Sequence, residues 1–176
     1  MQQYCLPWRN STLDNIRFEE TRDDYIPEIT DIYNHYILNS TATFHTKKMS
    51  PEDIRGIVYT GDPRFPSFAL LDGETVCGYC ILTPFKKREA YDGTAEVTVY
   101  LKSEYIGKGL GKRAIFFLED VAHSKGFHVL LAVICGENVQ SMELFNKMGY
   151  SQCAHYREVG RKFGRMLDVI SYQKII

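Results

Sequence analysis

Between residues 97 and 102 the apolar side chains Val97, Val99 and Leu101 alternate with Thr98, Tyr100 and Lys102, the two-residue period of a β-strand. Further on the period changes. Leu110, Ala114, Phe117, Leu118, Val121 and Ala122 recur at helical spacing, and Lys125-Gly126 ends that run with a glycine C-cap. Gly107-Lys108-Gly109-Leu110-Gly111-Lys112 lies between the two. The pattern predicts a strand that passes through a glycine loop straight into a helix. A helix start leaves N–H groups without partners and carries partial positive charge. Glycines let a phosphate come close to that backbone. The stretch reads as a cradle for a phosphorylated ligand.

The remaining periods are consistent with one domain over residues 16–176, after an N-terminal extension over 1–15 that packs through Trp8. Residues 16–21 predict a first strand. From Asp24, the positions Tyr25, Ile26, Ile29, Ile32, Tyr33 and Tyr36 form a helical stripe that ends near Asn39-Ser40. Ser50-Pro51-Glu52-Asp53 starts a second helix, which reaches Tyr59 and is broken by Gly61-Asp62-Pro63. Residues 68–71 and 75–82 predict a hairpin turned by Asp72-Gly73. A polar loop over 84–93 follows. After the central strand, loop and helix come a buried strand over 128–134, a helix over 138–148 and two last strands over 150–159 and 166–175. The class is α/β (α+β). The helical crossover makes the strands at 97–101 and 128–134 parallel, while the other pairings read as mostly antiparallel.

Composition narrows the function classes. The chain has 176 residues and a formal charge of −1, which argues against wholesale binding to nucleic acid or an anionic membrane. No apolar run approaches the roughly 20 residues of a membrane helix, and no basic start precedes an apolar stretch. A cytoplasmic enzyme is the expectation. The five cysteines are odd in number and scattered, so no disulfide framework is expected. Cys77 and Cys80 stand three apart on a predicted strand and should point to opposite faces. No metal-ligand spacing appears among the cysteines and histidines.

Three readings of the glycine loop compete with a ligand-free turn. A Walker loop fails, because Ile106 stands where its first glycine belongs and Arg113 where it needs Ser or Thr. A dinucleotide fingerprint from Gly107 needs glycine at Lys112, and a frame from Gly109 closes poorly. The third reading is a pyrophosphate loop for coenzyme A. The segment resembles motif A of the GNAT N-acetyltransferases, Gln/Arg-x-x-Gly-x-Gly/Ala, with Ile106 in the leading place. Two further stretches narrow the resemblance to phosphinothricin acetyltransferases and their relatives: Lys86-Lys87-Arg88-Glu89-Ala90-Tyr91 and Gly160-Arg161-Lys162-Phe163-Gly164-Arg165-Met166-Leu167-Asp168. Tyr33-Asn34-His35-Tyr36 is similar to their first helix.

The resemblance implies a mixed sheet with flanking helices, whose central parallel pair splays to admit the pantetheine arm. It implies acetyl-CoA as co-substrate, a small amino-acid-like acceptor and a homodimer. Coenzyme contacts are expected at Thr98, Val99, Tyr100, Ile106, Gly107, Lys108, Gly109, Leu110, Gly111, Asn138 and Ser141, and acceptor contacts at Phe44, Lys86, Arg88 and Tyr91. Glu96 matches the family's proposed general base. An α-amine has a pKa near ~7.7–8.0 and a lysine amine near ~10.4, so a modest base is enough for an amino-acid acceptor. A main-chain N–H on the 97–101 strand is the candidate oxyanion donor. Phe145 occupies the place where many relatives carry a tyrosine acid and cannot donate a proton. Arg88 offers a fork suited to a carboxylate. A peptide N-terminus or polyamine acceptor, or a non-catalytic acyl-CoA sensor, remains an alternative.

Overall fold

In a computed structural model that describes residues 15–176, the chain opens with β1 (Ile16–Glu20), and a 3-10 turn leads into α1 (Ile26–Asn39). The expected extension, with Trp8, lies outside the described residues except for Asn15. The turn over 23–25 delays α1 by two residues relative to Asp24, and Pro27 occupies its first turn, where a missing N–H costs nothing. α2 (Pro51–Val58) starts on a capping box: Ser50 Oγ accepts from Asp53 N at 3.2 Å, and the Asp53 carboxylate accepts from Ser50 N at 2.8 Å.

β2 (Ser67–Asp72) and β3 (Thr75–Pro84) form the predicted hairpin. β4 (Thr94–Leu101), α3 (Leu110–Ser124) and β5 (Val129–Cys135) are the strand, helix and parallel strand of the central unit. α4 (Val139–Lys147) precedes a long hairpin of β6 (Ser151–Lys162) and β7 (Arg165–Ile175). β4 starts three residues before Val97, and β6 runs on to Lys162. Irregular pairing between Tyr156 and Gly160, with Glu158 at φ 53°, breaks the two-residue period there without ending the strand.

The seven strands form one sheet in the order β1-β2-β3-β4-β5-β7-β6, and only β4 and β5 are parallel. One apolar core lies between the sheet and α3, the other between the sheet and α1–α2. β3 feeds both. Val76, Tyr79 and Ile81 enter the α1 side, while Cys77, Cys80 and Leu82 enter the α3 side. The two cysteines therefore share a face, contrary to simple alternation. The cause is a bulge: Leu70 pairs with Gly78 and Leu71 with Val76, so Cys77 is skipped. Gly78 is required at this point, because a Cβ there would lie 2.6 Å from Leu101 Cδ2 and 2.7 Å from the Tyr100 carbonyl oxygen. Burial pushes the Cys77 thiol up to about 11, so it stays protonated and structural.

The parallel pair is short. β4 meets β5 only at Thr94–Val129, Ala95–Leu130 and Glu96–Leu131, whereas β5 follows β7 from Val129 to Cys135. Beyond Glu96 the two strands part, which is the splay expected of this fold.

Candidate active site

The gap beyond Glu96 opens into a cleft of about 570 Å³. One wall is the free edge of β4, with Thr98, Val99 and Tyr100. The other is β5 and α4, with Asn138, Ser141 and Phe145. The glycine loop closes one end through Ile106, Gly107, Gly109 and Gly111. Two of the expected coenzyme contacts do not line the cleft: Leu110 is fully buried in the α3 core, and Lys108 is exposed, with its ammonium over the Tyr105 ring. Tyr36 and Ala42 also line the cleft, although no sequence motif marks them for it. The signals for Tyr36 are its membership of the first helical stripe and of the Tyr33–Tyr36 stretch, neither of which marks it as a coenzyme contact.

The backbone explains the loop. Gly107 and Gly109 have φ of 77° and 88°, in the left-handed region that favours glycine. α3 opens on Gly109 with no side-chain cap, unlike α2 and α4. The first-turn N–H groups of Leu110 and Gly111 lack helical acceptors and mark the positive end of the helix dipole. That arrangement fits a pyrophosphate, and the splay and cleft fit an extended arm. Gly111 serves packing instead, since a Cβ there would stand 3.2 Å from Leu144 Cδ2, and its absence admits α4. Asn138 caps α4 by accepting from Ser141 N at 3.2 Å.

Glu96 sits at the last paired position, where the splay begins. Ala95, Val97 and Leu101 face the α3 core, so by alternation Glu96, Thr98 and Tyr100 face the α1 side. Glu96 is partly buried, and burial raises its carboxyl above the usual carboxylate range. A base raised towards neutrality accepts a proton more readily once ionised.

The connection from α1 to α2 crosses this same side and is tethered at five consecutive residues. Thr41 Oγ1 donates to Glu137, itself paired with Arg165, and Tyr100 Oη donates to the Ala42 carbonyl at 3.2 Å. Thr43 Oγ1 and His45 Nδ1 lie 2.7 and 2.6 Å from Tyr33 Oη. Lys162 Nζ donates to the Thr43 carbonyl at 2.7 Å. Phe44 packs on Gly160, where a Cβ would fall 2.0 Å from its Cε1. Tyr36 and Tyr100 are raised by burial and donate to main-chain carbonyls. Phe145 stands edge-on to Tyr150 in the cleft wall and bears no transferable proton.

Lys86, Arg88 and Tyr91 are not part of the cleft. They line a separate hollow of about 220 Å³ with Asp62 and Arg64, beside the start of β4. The Lys86 ammonium lies 5.0 and 5.5 Å from the centroids of the Phe85 and Tyr91 rings.

Comparison with known proteins identifies this architecture. The acetyltransferase (GNAT) family profile matches residues 28–150. A phosphinothricin N-acetyltransferase from Streptomyces coelicolor is 31% identical over 156 residues, covering 86% of this chain and 91% of that one. An L-methionine sulfoximine/L-methionine sulfone acetyltransferase from Salmonella typhimurium is 31% identical, with 90% and 92% covered. The crystal structure of a GNAT superfamily phosphinothricin acetyltransferase from Sinorhizobium meliloti, in complex with acetyl-CoA, superposes with a TM-score of 0.87 at 28% identity, covering 92% of this chain and 89% of that one. With a splayed β4–β5 pair, an uncapped glycine start to α3 and relatives of this closeness, the chain belongs to the GNAT family and is an acetyl-CoA-dependent N-acetyltransferase.

Proposed function

We propose that this enzyme acetylates the α-amine of a small L-amino acid or analogue, of the phosphinothricin or methionine sulfoximine kind. The observation that carries the reading is the position of Glu96, partly buried where β4 and β5 part and facing away from the α3 core. Acetyl-CoA supplies the thioester. The first-turn N–H groups of α3 hold its pyrophosphate, while Asn138 and Ser141 flank the arm. Glu96 takes a proton from the acceptor ammonium, directly or through water, and frees the nitrogen to attack. A main-chain N–H on the free edge of β4 faces the developing oxyanion. The C–N bond forms as the C–S bond breaks. Of the two protons lost by nitrogen, one ends on the coenzyme sulfur and the other in solvent. A thiol pKa near ~8.5 lets the sulfur leave with little help, consistent with phenylalanine at 145. Phe44 walls the acceptor, and Arg88 offers a fork to its carboxylate from the neighbouring loop.

The test is to mix the protein with acetyl-CoA and a panel of L-amino acids, methionine sulfoximine, phosphinothricin and a short peptide, and follow free thiol. Turnover confined to the amino acids and analogues supports the reading. Turnover of the peptide alone would replace the acceptor class, and coenzyme binding without turnover would make the protein a sensor.

A further inference from the structure

The Gly160–Asp168 stretch carries a charged group that the chemistry above leaves unused. Lys162 is only 3% exposed. Its ammonium has three N–H donors and one protein acceptor, the Thr43 carbonyl oxygen at 2.7 Å. Among the described residues it joins no ion pair, and Glu137, which Thr41 of the same segment contacts, is already held by Arg165. The Phe163 ring covers it, with its centroid 5.1 Å from Nζ. A buried ammonium with one neutral partner is under-compensated, and an apolar side chain of similar length would fill the space at less cost.

Its position suggests what the charge is for. Gly160 pairs with Leu167 and Lys162 with Arg165, while Val133 pairs with Ser171. Alternation from Val133 therefore puts Lys162 on the same face of the sheet as Glu96, Thr98 and Tyr100. Thr43, which it holds, lies between Ala42 in the cleft wall and Phe44 on Gly160. Glu96 is the carboxyl on this face at the start of the splay, and it draws the acceptor's amine. Lys162 is a positive charge on the same face, tied through the Thr43 carbonyl to the segment whose Ala42 lines the cleft.

We infer that Lys162 is a specificity-determining residue: its buried charge favours acceptors that carry a carboxylate beside the reacting amine. This rests on the amino-acid reading of the acceptor. It acts from beneath the α1–α2 connection, where Arg88 would meet the acceptor from the solvent side. At 3% exposure the side chain meets little water, so the charge is screened less than a surface charge and can act over several ångströms.

Lys162→Gln keeps a donor for Thr43 and removes the charge; Lys162→Arg keeps the charge. The kinetic comparison uses an amino acid and its amide, with acetyl-CoA saturating. For Lys162→Gln, kcat/KM for the acid should fall by roughly 10- to 100-fold, as expected on removing a unit charge about 6–12 Å away at an effective dielectric of about 20, and that for the amide by less than about threefold. Lys162→Arg should keep most of the acid preference. Equal losses on acid and amide would reduce Lys162 to a clamp on Thr43 and overturn the inference. Native enzyme labelled with ¹⁵N-lysine gives a second readout that needs no loss of charge: the acid, but not the amide, should move the Lys162 Nζ resonance, assigned through Lys162→Arg. An unmoved resonance also overturns it. If the native enzyme turns over no amino acid, the acceptor reading fails with it. If it does and the acid–amide difference survives Lys162→Gln, only the role of Lys162 fails.

Discussion

At Glu96 a cost in stability and a gain in chemistry come from the same burial. The folded protein holds this proton more tightly than the unfolded chain does. The stability linked to it is full below the unfolded pKa and is lost as pH rises through the folded one. Glutamine stays neutral throughout. Glu96→Gln should therefore melt higher than the native protein at neutral pH, and the two melts should converge in acid. Its kcat/KM should fall by roughly a hundredfold near neutral pH, and the deficit should shrink at high pH, where the amine is already free. A lower melt at neutral pH would reveal an ionic partner for Glu96, and an unaltered pH–rate profile would remove it from the mechanism. The residue itself was legible in the sequence, next to the alternating strand and through a family resemblance. Its burial was not, because it depends on where β5 stops following β4, and no local pattern encodes that.

The start of α3 shows what an element adds to a motif. In the sequence Gly107, Gly109 and Gly111 look alike. In the structure the first two have left-handed φ, and the third makes room for Leu144. Gly109→Val puts a β-branched residue where the left-handed conformation costs about 1–2 kcal/mol, and the turn should rebuild with its N–H groups redirected. The Kd for coenzyme A, measured by calorimetry, should rise about tenfold or more, with little change in melting temperature. Unchanged affinity in a folded variant would remove the loop from the site. Gly111→Val is a poorer probe, since its first effect falls on α4. Most element boundaries could be read to within a few residues from period and capping signals such as Ser50–Asp53. The bulge at Cys77 could not, because it is a matter of how β2 and β3 pair, with Leu70 opposite Gly78 and Leu71 opposite Val76, which no local period encodes. The separation of Lys86, Arg88 and Tyr91 from the cleft is also a matter of which end of β4 their loop joins.

For the whole molecule, the sheet divides the work. The glycine loop and α3 lie on one face, and Glu96 with the tethered α1–α2 connection lies on the other. Two ligands that approach from different faces can be bound together, so the transfer should be direct. Initial rates at varied acetyl-CoA and acceptor should give intersecting reciprocal plots, and no acetylated peptide should appear when the protein is incubated with acetyl-CoA alone. Parallel plots with an acetylated side chain would point to a covalent intermediate instead. The bulge in β3 has a consequence for reagents. By turning Cys77 beside Cys80 it seals both thiols under α3, while Cys153 stands exposed on β6. Of the described cysteines, a thiol dye should consume Cys153 at once and reach the buried ones only on local opening, so in a Cys135→Ser background the slow phase acts as a clock for that half of the protein. Acetyl-CoA, which carries no free thiol, seated at the start of α3 should slow this clock and leave the fast phase untouched.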